Sequence, residues 1–514
     1  MFVRVIVPPI RGHLYDPAVT GDRDRPADVV EASPTAVLPP PDRFAHGRVH
    51  YRWIVLATVC SGVFASGLTI TALTTAVPFI RRDFGTSFAA ISWVVSAPFL
   101  FRSIFIPAFG KVADRWGRRR TWMWGSVGTA LFSLACGFAP AVGWLIALRA
   151  LSAIASAAVV PASLALISVE FAAHERVKAF GWWSASTAIS PVVGVVLGGL
   201  VVDAFGWRWL FYGQFPFSAL AVVAGAVVLR ESTGERAPFD VWGTVLSVTG
   251  LGLVILAINR GPVGAWAWGS SELVICAVVA VALIVGFVLV ERRVAAPILP
   301  VHLFARRAFS AGVAANFFVN FAYMGGFFIT SVMLAEPDLW GWSPGRVSLA
   351  VAPRALSLGI MGPIAGFLTA RFGGRRTATA GMLLVAASMV VLATLHAGAG
   401  YGLILLGLVL SGFGLGLVGP PATAAVTNEA ADDDLGAAGA AVNLGASFGS
   451  SVGIATMQAV LLTVAVSPDA PGMHAFTVAF EAGAIAALVG IVSTLALGAS
   501  NRATRVAWML RFRR

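Results

Sequence analysis

The residues best placed to do chemistry in this sequence are ionisable side chains inside long apolar runs, and they are few. Arg102, Arg149 and Arg354 each sit well within such a run, and so does one carboxylate, Glu481. Taking a charge into a bilayer costs roughly 2.5–3.5 kcal/mol on insertion scales, so each is a functional candidate by default. An arginine offers a permanent cation with five donors, which can hold an anion, snorkel to a surface or bond backbone carbonyls. A glutamate can take up a proton on one side and release it on the other. His474 precedes Glu481 on the same helical face, about two turns away. The pair reads either as a proton relay or as a vestibule glutamate beside an exposed loop histidine. The histidines form no metal-ligand spacing, and no His-Glu-x-x-His, Gly-x-Ser-x-Gly or Gly-x-x-x-x-Gly-Lys-Ser/Thr pattern occurs. No catalytic residue, metal or cofactor is therefore expected, and the chain does not read as an enzyme. Cys60, Cys136 and Cys276 fall in apolar stretches without redox spacing and read as small core residues.

The elements that must position these groups follow from composition. Of 514 residues, 58% are hydrophobic and 12% charged, about half the charge of a soluble domain. That leaves too little polar surface to cover a protein of this size in water, so the chain reads as an all-α polytopic membrane protein. Residues 1–50 are polar and Pro-rich and read as a disordered cytoplasmic tail. Apolar runs long enough to span then follow at 53–80, 88–110, 121–139, 143–168, 180–204, 209–229, 241–260, 271–290, 309–334, 345–368, 377–396, 401–426, 437–464 and 475–498. Tryptophans such as Trp53, Trp122, Trp207, Trp242 and Trp342 mark their ends. The net charge of +12 sits in short loops, where it sets topology rather than binding nucleic acid. With the N-terminus inside, the inner loops and C-terminal tail collect most of the arginines, among them Arg115, Arg118, Arg119, Arg120, Arg371, Arg375 and Arg376. The outer loops hold few, such as Arg81, Arg82 and Arg208. Both termini are thus expected in the cytoplasm of a cell with the chain in its plasma membrane.

The sequence also repeats. Gly110-Lys-Val-Ala-Asp114-Arg115-Trp-Gly117-Arg118-Arg119-Arg120-Thr121 recurs as Gly366-Phe-Leu-Thr-Ala370-Arg371-Phe-Gly373-Gly-Arg375-Arg376-Thr377. Each copy ends an even-numbered span at the same face, and a proline precedes each (Pro107, Pro363). Internal repeats mark many transporters, whose substrates bind between the halves near the midplane. The separation of the copies exceeds six spans, and two inserted helices account for the excess. The expected organisation is a tail (1–50), a six-helix bundle (51–230), a linker with two further spans (231–308), a second six-helix bundle (309–498) and a basic tail (499–514).

The loop from Gly110 to Arg120 resembles the signature of the major facilitator superfamily. Gly110 and Gly117 would permit tight packing and a sharp turn, while Asp114 would pair with arginine or a helix N-terminus across an inner gate. Gly110, Asp114, Arg115, Gly117, Arg118 and Arg119 are the gating candidates; Ala370 replaces the acid in the second copy, weakening any matching latch there. From residue 53 onward the chain resembles the fourteen-span drug:proton antiporter branch. Leu145-Ile-Ala-Leu-Arg149-Ala-Leu-Ser152-Ala153 is similar to its Leu-x-x-Arg-x-x-Gln-Gly pattern, with Arg149 kept. Ser190-Pro191-Val-Val-Gly194-Val195-Val-Leu-Gly198-Gly199 is close to its Gly-x-x-x-Gly-Pro-x-x-Gly-Gly motif, with Pro191 displaced. Pro191, Gly194, Gly198 and Gly199 are hinge or packing candidates in the fifth span. Phe239-Asp240-Val241-Trp242-Gly243 also looks like that branch.

Relatives that export lipophilic cations carry an acid in the first span. Here Thr69 stands in that place and Thr74 where they have asparagine. A cavity with three arginines (Arg102, Arg149, Arg354) and one glutamate (Glu481), with Thr69 and Thr74 also in its lining, should repel a permanent cation and favour an anionic or neutral amphiphile. The resemblance implies proton-coupled export of a small drug-like amphiphile, with the proton gradient as energy source and Arg149 as a coupling candidate. Glu481 and His474 are coupling candidates by their own placement, and a monomer is expected. A facilitator or importer of an organic anion, or a non-transporting membrane protein on the same scaffold, stand as alternatives.

Overall fold

The computed structural model describes residues 47–171, 173–233, 240–260, 269–294, 299, 301–430, 435–465 and 471–498. Most of the tail expected over 1–50, the basic tail 499–514 and the loop acids Asp432–Asp434 lie outside them. Fourteen α-helices run through the described residues, each on one expected span. They are α1 (Gly47–Phe84), α2 (Phe88–Trp116), α3 (Arg118–Gly137), α4 (Val142–Glu170), α5 (Ala173–Phe205), α6 (Trp209–Val228), α7 (Val241–Arg260) and α8 (Ser271–Glu291). After a 3-10 turn at Val301–Ala305 come α9 (Arg307–Ala335), α10 (Pro344–Phe372), α11 (Gly374–Ala393), α12 (Tyr401–Thr427), α13 (Leu435–Val464) and α14 (Met473–Ala496). Helices dominate because in hydrocarbon every backbone N–H and C=O must be satisfied within its own segment.

Local signals set several ends. Ser87, Ser270 and Ser343 cap α2, α8 and α10 by accepting from Ala90, Leu273 and Arg346 N–H, and Pro344 follows Ser343 at the first helical position. Twelve helices among the described residues are long and apolar enough to cross a membrane. The other two are α3, which opens on three arginines, and α7, whose apolar stretch Trp242–Ile258 is shorter.

In the first six helices, α4 packs on α2 and α3, and α3 on α6. In the last six, α9 packs on α12, α13 and α14, while α12 packs on α10 and α11. Broad contacts of α5 with α10 and of α2 with α13 join these sets, and α1 reaches α9 and α10 through Arg82 and Thr75. The inserted pair α7–α8 pack on each other, and α7 also touches α2 and α13. Apolar Val274, Ile275, Val278, Val281 and Val285 are exposed along α8, a face suited to acyl chains. With fourteen passes, α1 begins and α14 ends on one face, here the terminal face.

Candidate functional site

A small cavity of about 20 Å³ lies among the first six helices. Its wall is built by α1 (Ser66, Thr69, Ile70), α2 (Val95, Pro98, Phe99, Arg102), α3 (Thr129), α4 (Arg149, Ser152, Ala153, Ser156) and α6 (Gln214). Two guanidinium groups, several hydroxyls and one amide thus meet an apolar, aromatic side, and none of these lining residues is acidic. Arg149 is 5% exposed; its Nε donates to Val94 O and its Nη1 to Thr69 Oγ1, both at 3.4 Å. These long bonds leave the cation under-satisfied and able to bond an entering acceptor. Gln214 holds the wall together: Nε2 donates to Ala65 O at 2.8 Å and Oε1 accepts from Ser133 Oγ at 2.5 Å.

The structure therefore brings Thr69, Arg102 and Arg149 to one cavity. Thr74 is not in its wall; it is buried and bonds back to Ile70 O. Arg354 is also elsewhere, 1% exposed in the core of the last six helices. It donates through Nη2 to Tyr323 O and stacks on the rings of Tyr323 (4.0 Å) and Phe327 (5.5 Å), while its Nε and Nη1 lack partners. Glu481 and His474 share a face, as their spacing requires, but it is an exposed one, continuous with Ile485, Leu488 and Val492 on α14. Neither residue lines the cavity, which is walled by α1, α2, α3, α4 and α6, whereas α14 packs on α9, α11 and α13.

The gating loop is a sharp corner at Gly117, whose φ of +117° favours glycine. Asp114 Oδ1 accepts from Arg118 Nε (3.2 Å) and Nη2 (3.0 Å) one turn on. Glu231, which sequence reasoning missed, accepts from Arg119 N (3.0 Å) and Arg120 N (3.2 Å), so its charge caps the start of α3. A Cβ on Gly117 would lie 2.5 Å from Glu231 Oε1, so the carboxylate sits directly over this corner. Only the fold reveals this partner, since Glu231 stands four spans downstream. In the second copy Gly373 repeats the positive φ (+89°), and α11 starts without a side-chain cap bond. Arg115 is exposed.

The fifth-span glycines serve close packing. A Cβ on Gly194 would strike Leu68 O, one on Gly198 would lie 2.5 Å from Ala72 Cβ, and one on Gly199 would strike Ser348 and Pro344 of α10. Pro191 O accepts from Thr71 Oγ1 at 2.6 Å, while α5 continues as one helix through the proline.

The described hydrogen bonds between the first and last six helices all use residues from the halves of the helices away from the terminal face. Asp203 Oδ2 accepts from Ser343 Oγ (2.9 Å) and Gly345 N (2.7 Å), and Arg82 Nη2 donates to Ala335 O (2.8 Å). Ser348 Oγ donates to Thr75 Oγ1 (3.0 Å), Ser451 Oγ to Ser96 O (2.9 Å), and Gln458 Nε2 to Phe88 O. At the terminal face, by contrast, Asp114–Arg118, Glu231–Arg120 and Glu429–Arg306 stay within their own sets.

Two sets of six helices and an inserted pair, with a repeated glycine corner at one face, are the architecture of a membrane transporter. The Major Facilitator Superfamily model matches residues 59–315 and 316–507, and the chain belongs to that family. It is 32% identical over 406 residues to the tetracenomycin C resistance and export protein of Streptomyces glaucescens, covering 78% of this chain and 75% of that one. To the multidrug resistance protein Stp of Mycobacterium tuberculosis it is 32% identical over 408 residues, covering 78% and 74%. To the multidrug export protein EmrB of Escherichia coli it is 26% identical over 437 residues, covering 82% and 85%. A solved POT family transporter in complex with 5-aminolevulinic acid shares the fold, with a TM-score of 0.63, 15% identity and coverage of 89% and 97%. This is a multi-pass membrane transporter related to drug and antibiotic exporters.

Proposed function

We propose that this protein exports small neutral or anionic amphiphiles in exchange for protons by alternating access, with both termini cytoplasmic in the plasma membrane. The observation that carries the reading is the cavity: Arg102 and Arg149 beside hydroxyls and Phe99, with no acid in its lining. A permanent cation entering it would meet two like charges and no counter-charge, whereas a carboxylate, phenolate or carbonyl would find fork-shaped donors. The relatives' names, tetracenomycin C resistance and export among them, support efflux of drug-like compounds. The latch of Asp203, Arg82 and Ser348 opposite the terminal face supports an inward-facing state, ready to load from the cytoplasm. One proton crossing about 100 mV supplies about 2.3 kcal/mol, enough for a substrate gradient of roughly fifty-fold. Arg149 is the group best placed to sense both substrate and proton, since it lies in the cavity wall and Glu481 does not.

The test is proton release from proteoliposomes with an imposed pH gradient, challenged in turn with anionic, neutral and cationic amphiphiles. Anionic or neutral compounds should drive proton flux, and Arg149→Met should abolish it. Flux with cations alone would overturn the charge assignment, and substrate movement indifferent to the pH gradient would make the protein a facilitator.

A further inference from the structure

The inserted helices α7 and α8 carry a buried charge cluster that the export mechanism leaves unused. Asp240 is 6% exposed and caps α7: its Oδ1 accepts from Gly243 N at 2.8 Å and its carbonyl accepts from Thr244 Oγ1 at 2.8 Å. Its Oδ2 has no partner. Glu291, the last residue of α8, is 3% exposed, and its Oε2 accepts from Leu299 N at 3.3 Å. The two carboxylates converge: a Cβ built on Gly243 would strike Asp240 Oδ2 and come within 2.9 Å of Glu291 Oε1. This accounts for the Asp240-x-x-Gly243 spacing. The acid caps the third N–H of the helix, and glycine at that position leaves room for a second acid alongside.

Two carboxylates held together away from water need a counter-charge. It comes from α2: Lys111 interacts electrostatically with Glu291 and, more weakly, with Asp240. Lys111 directly follows Gly110 and opens the gating loop. α7 also touches both α2 and α13, the helices that join the first and last six. We infer that the inserted pair anchors the α2 end of the gate, with Asp240 and Glu291 as positioning residues and Lys111 as the group they hold. The end of α2 cannot swing away from α7 without pulling Lys111 off both acids, so the inserted helices restrain how far the terminal face opens. The anchor rests on the gating reading of the Gly110–Arg120 loop, but its geometry can be measured without transport.

The experiment places spin labels on Trp116→Cys and Trp242→Cys, two exposed positions flanking the cluster (67% and 72%). Cys60, Cys136 and Cys276 are replaced by alanine, and the full chain is studied in nanodiscs. A narrow distance distribution is expected with Lys111 or Lys111→Arg and a broad one with Lys111→Met. Lys111→Met with Glu291→Gln should be narrower again, because the double change removes one of the two mutually repelling acids along with the base that offset them. In proteoliposomes Lys111→Met should lower the maximal export rate by about tenfold, within the usual range of coupling between sites, with KM changed less than twofold. An unchanged distribution in Lys111→Met, or a double variant no narrower than the single, overturns the anchor. Should Lys111→Met not fold, failure of the double variant to restore folding overturns it as well. If the distances respond as expected and no compound is exported, the anchor stands and the export reading fails.

Discussion

Arg149 shows how much one side chain draws from its surroundings. Its guanidinium is wedged between Val94 O and Thr69 Oγ1, both at the long limit of a hydrogen bond, with no acid in the cavity wall. Lysine at this position would keep the charge and lose the fork, and a hydrogen bond to a charged group contributes about 1.5–3 kcal/mol. Arg149→Lys should therefore lower substrate flux by about tenfold or more at unchanged membrane abundance, measured as accumulation in inverted vesicles alongside immunoblotting. Thr69→Asp goes further, since it places an acid against Arg149 where cation exporters carry one. It should shift preference from anionic toward cationic amphiphiles, read as reversed ranking in competition assays. Arg149 and its cavity neighbours Thr69 and Arg102 were legible in the sequence because an ionisable or hydroxyl group in an apolar run is conspicuous. Where Glu481 points was not legible: half a turn of phase decides whether a helical residue faces its neighbours or the outside, and the exposed stripe through Ile485, Leu488 and Val492 settles it.

At the scale of elements, hydropathy located all fourteen helices, because each apolar run must satisfy its own backbone in the bilayer. The helix contacts were less legible. Glycine spacing in α5 suggested either a hinge or tight packing, and the neighbours, Leu68 and Ala72 of α1 and Ser348 of α10, show how close that packing is. The same comparison separates glycines that need to be glycine from those that do not. Gly194→Ala would drive a methyl into Leu68 O, an overpacking cost of about 1–3 kcal/mol, whereas a Cβ on Gly359 in α10 meets nothing within 4 Å. Thermal unfolding of the purified protein should show Gly194→Ala well below the parent. Gly359→Ala should be equal or slightly raised, since alanine is favoured over glycine within a helix by about 0.5–1 kcal/mol. Gly117→Ala must adopt a φ of +117° that alanine disfavours and should also fall below the parent in the same assay. Glu231 itself was invisible in the sequence: nothing near Arg119 names a partner beyond α6, and the fold alone supplies it.

For the whole molecule, the contacts that join the two sets of helices at the face opposite the termini make that face a latch whose strength depends on pH. Glu336, at the end of α9, is 5% exposed there, next to the Arg82–Ala335 bond. Burial pushes its carboxyl above the usual range; Arg81 and Arg82 pull it partly back, and Asp338 pushes it up again. Opening this face would hydrate Glu336 and return it toward an ordinary value near about 4.3. The closed latch therefore binds the proton more tightly than the open one. The contribution of Glu336 to closure is fully present below the ordinary value and is lost as pH rises through the raised one. An antiporter gains from that sign, since acid on this side would close the face behind an arriving proton. Thr75 and Ser348, whose hydroxyls lie 3.0 Å apart across the closed face, offer the reporter. A Thr75→Cys/Ser348→Cys pair, in a background lacking the native cysteines, should oxidise to a disulfide that stops transport and is reversed by reductant. The thiol pair itself oxidises faster at high pH, so the informative quantity is the comparison with the same pair carrying Glu336→Gln. At low pH the two backgrounds should cross-link alike, and as pH rises the glutamate background should fall behind the glutamine one. Parallel profiles would remove Glu336 from the latch, and failure of the pair to cross-link at any pH would mean that this face does not close in the membrane.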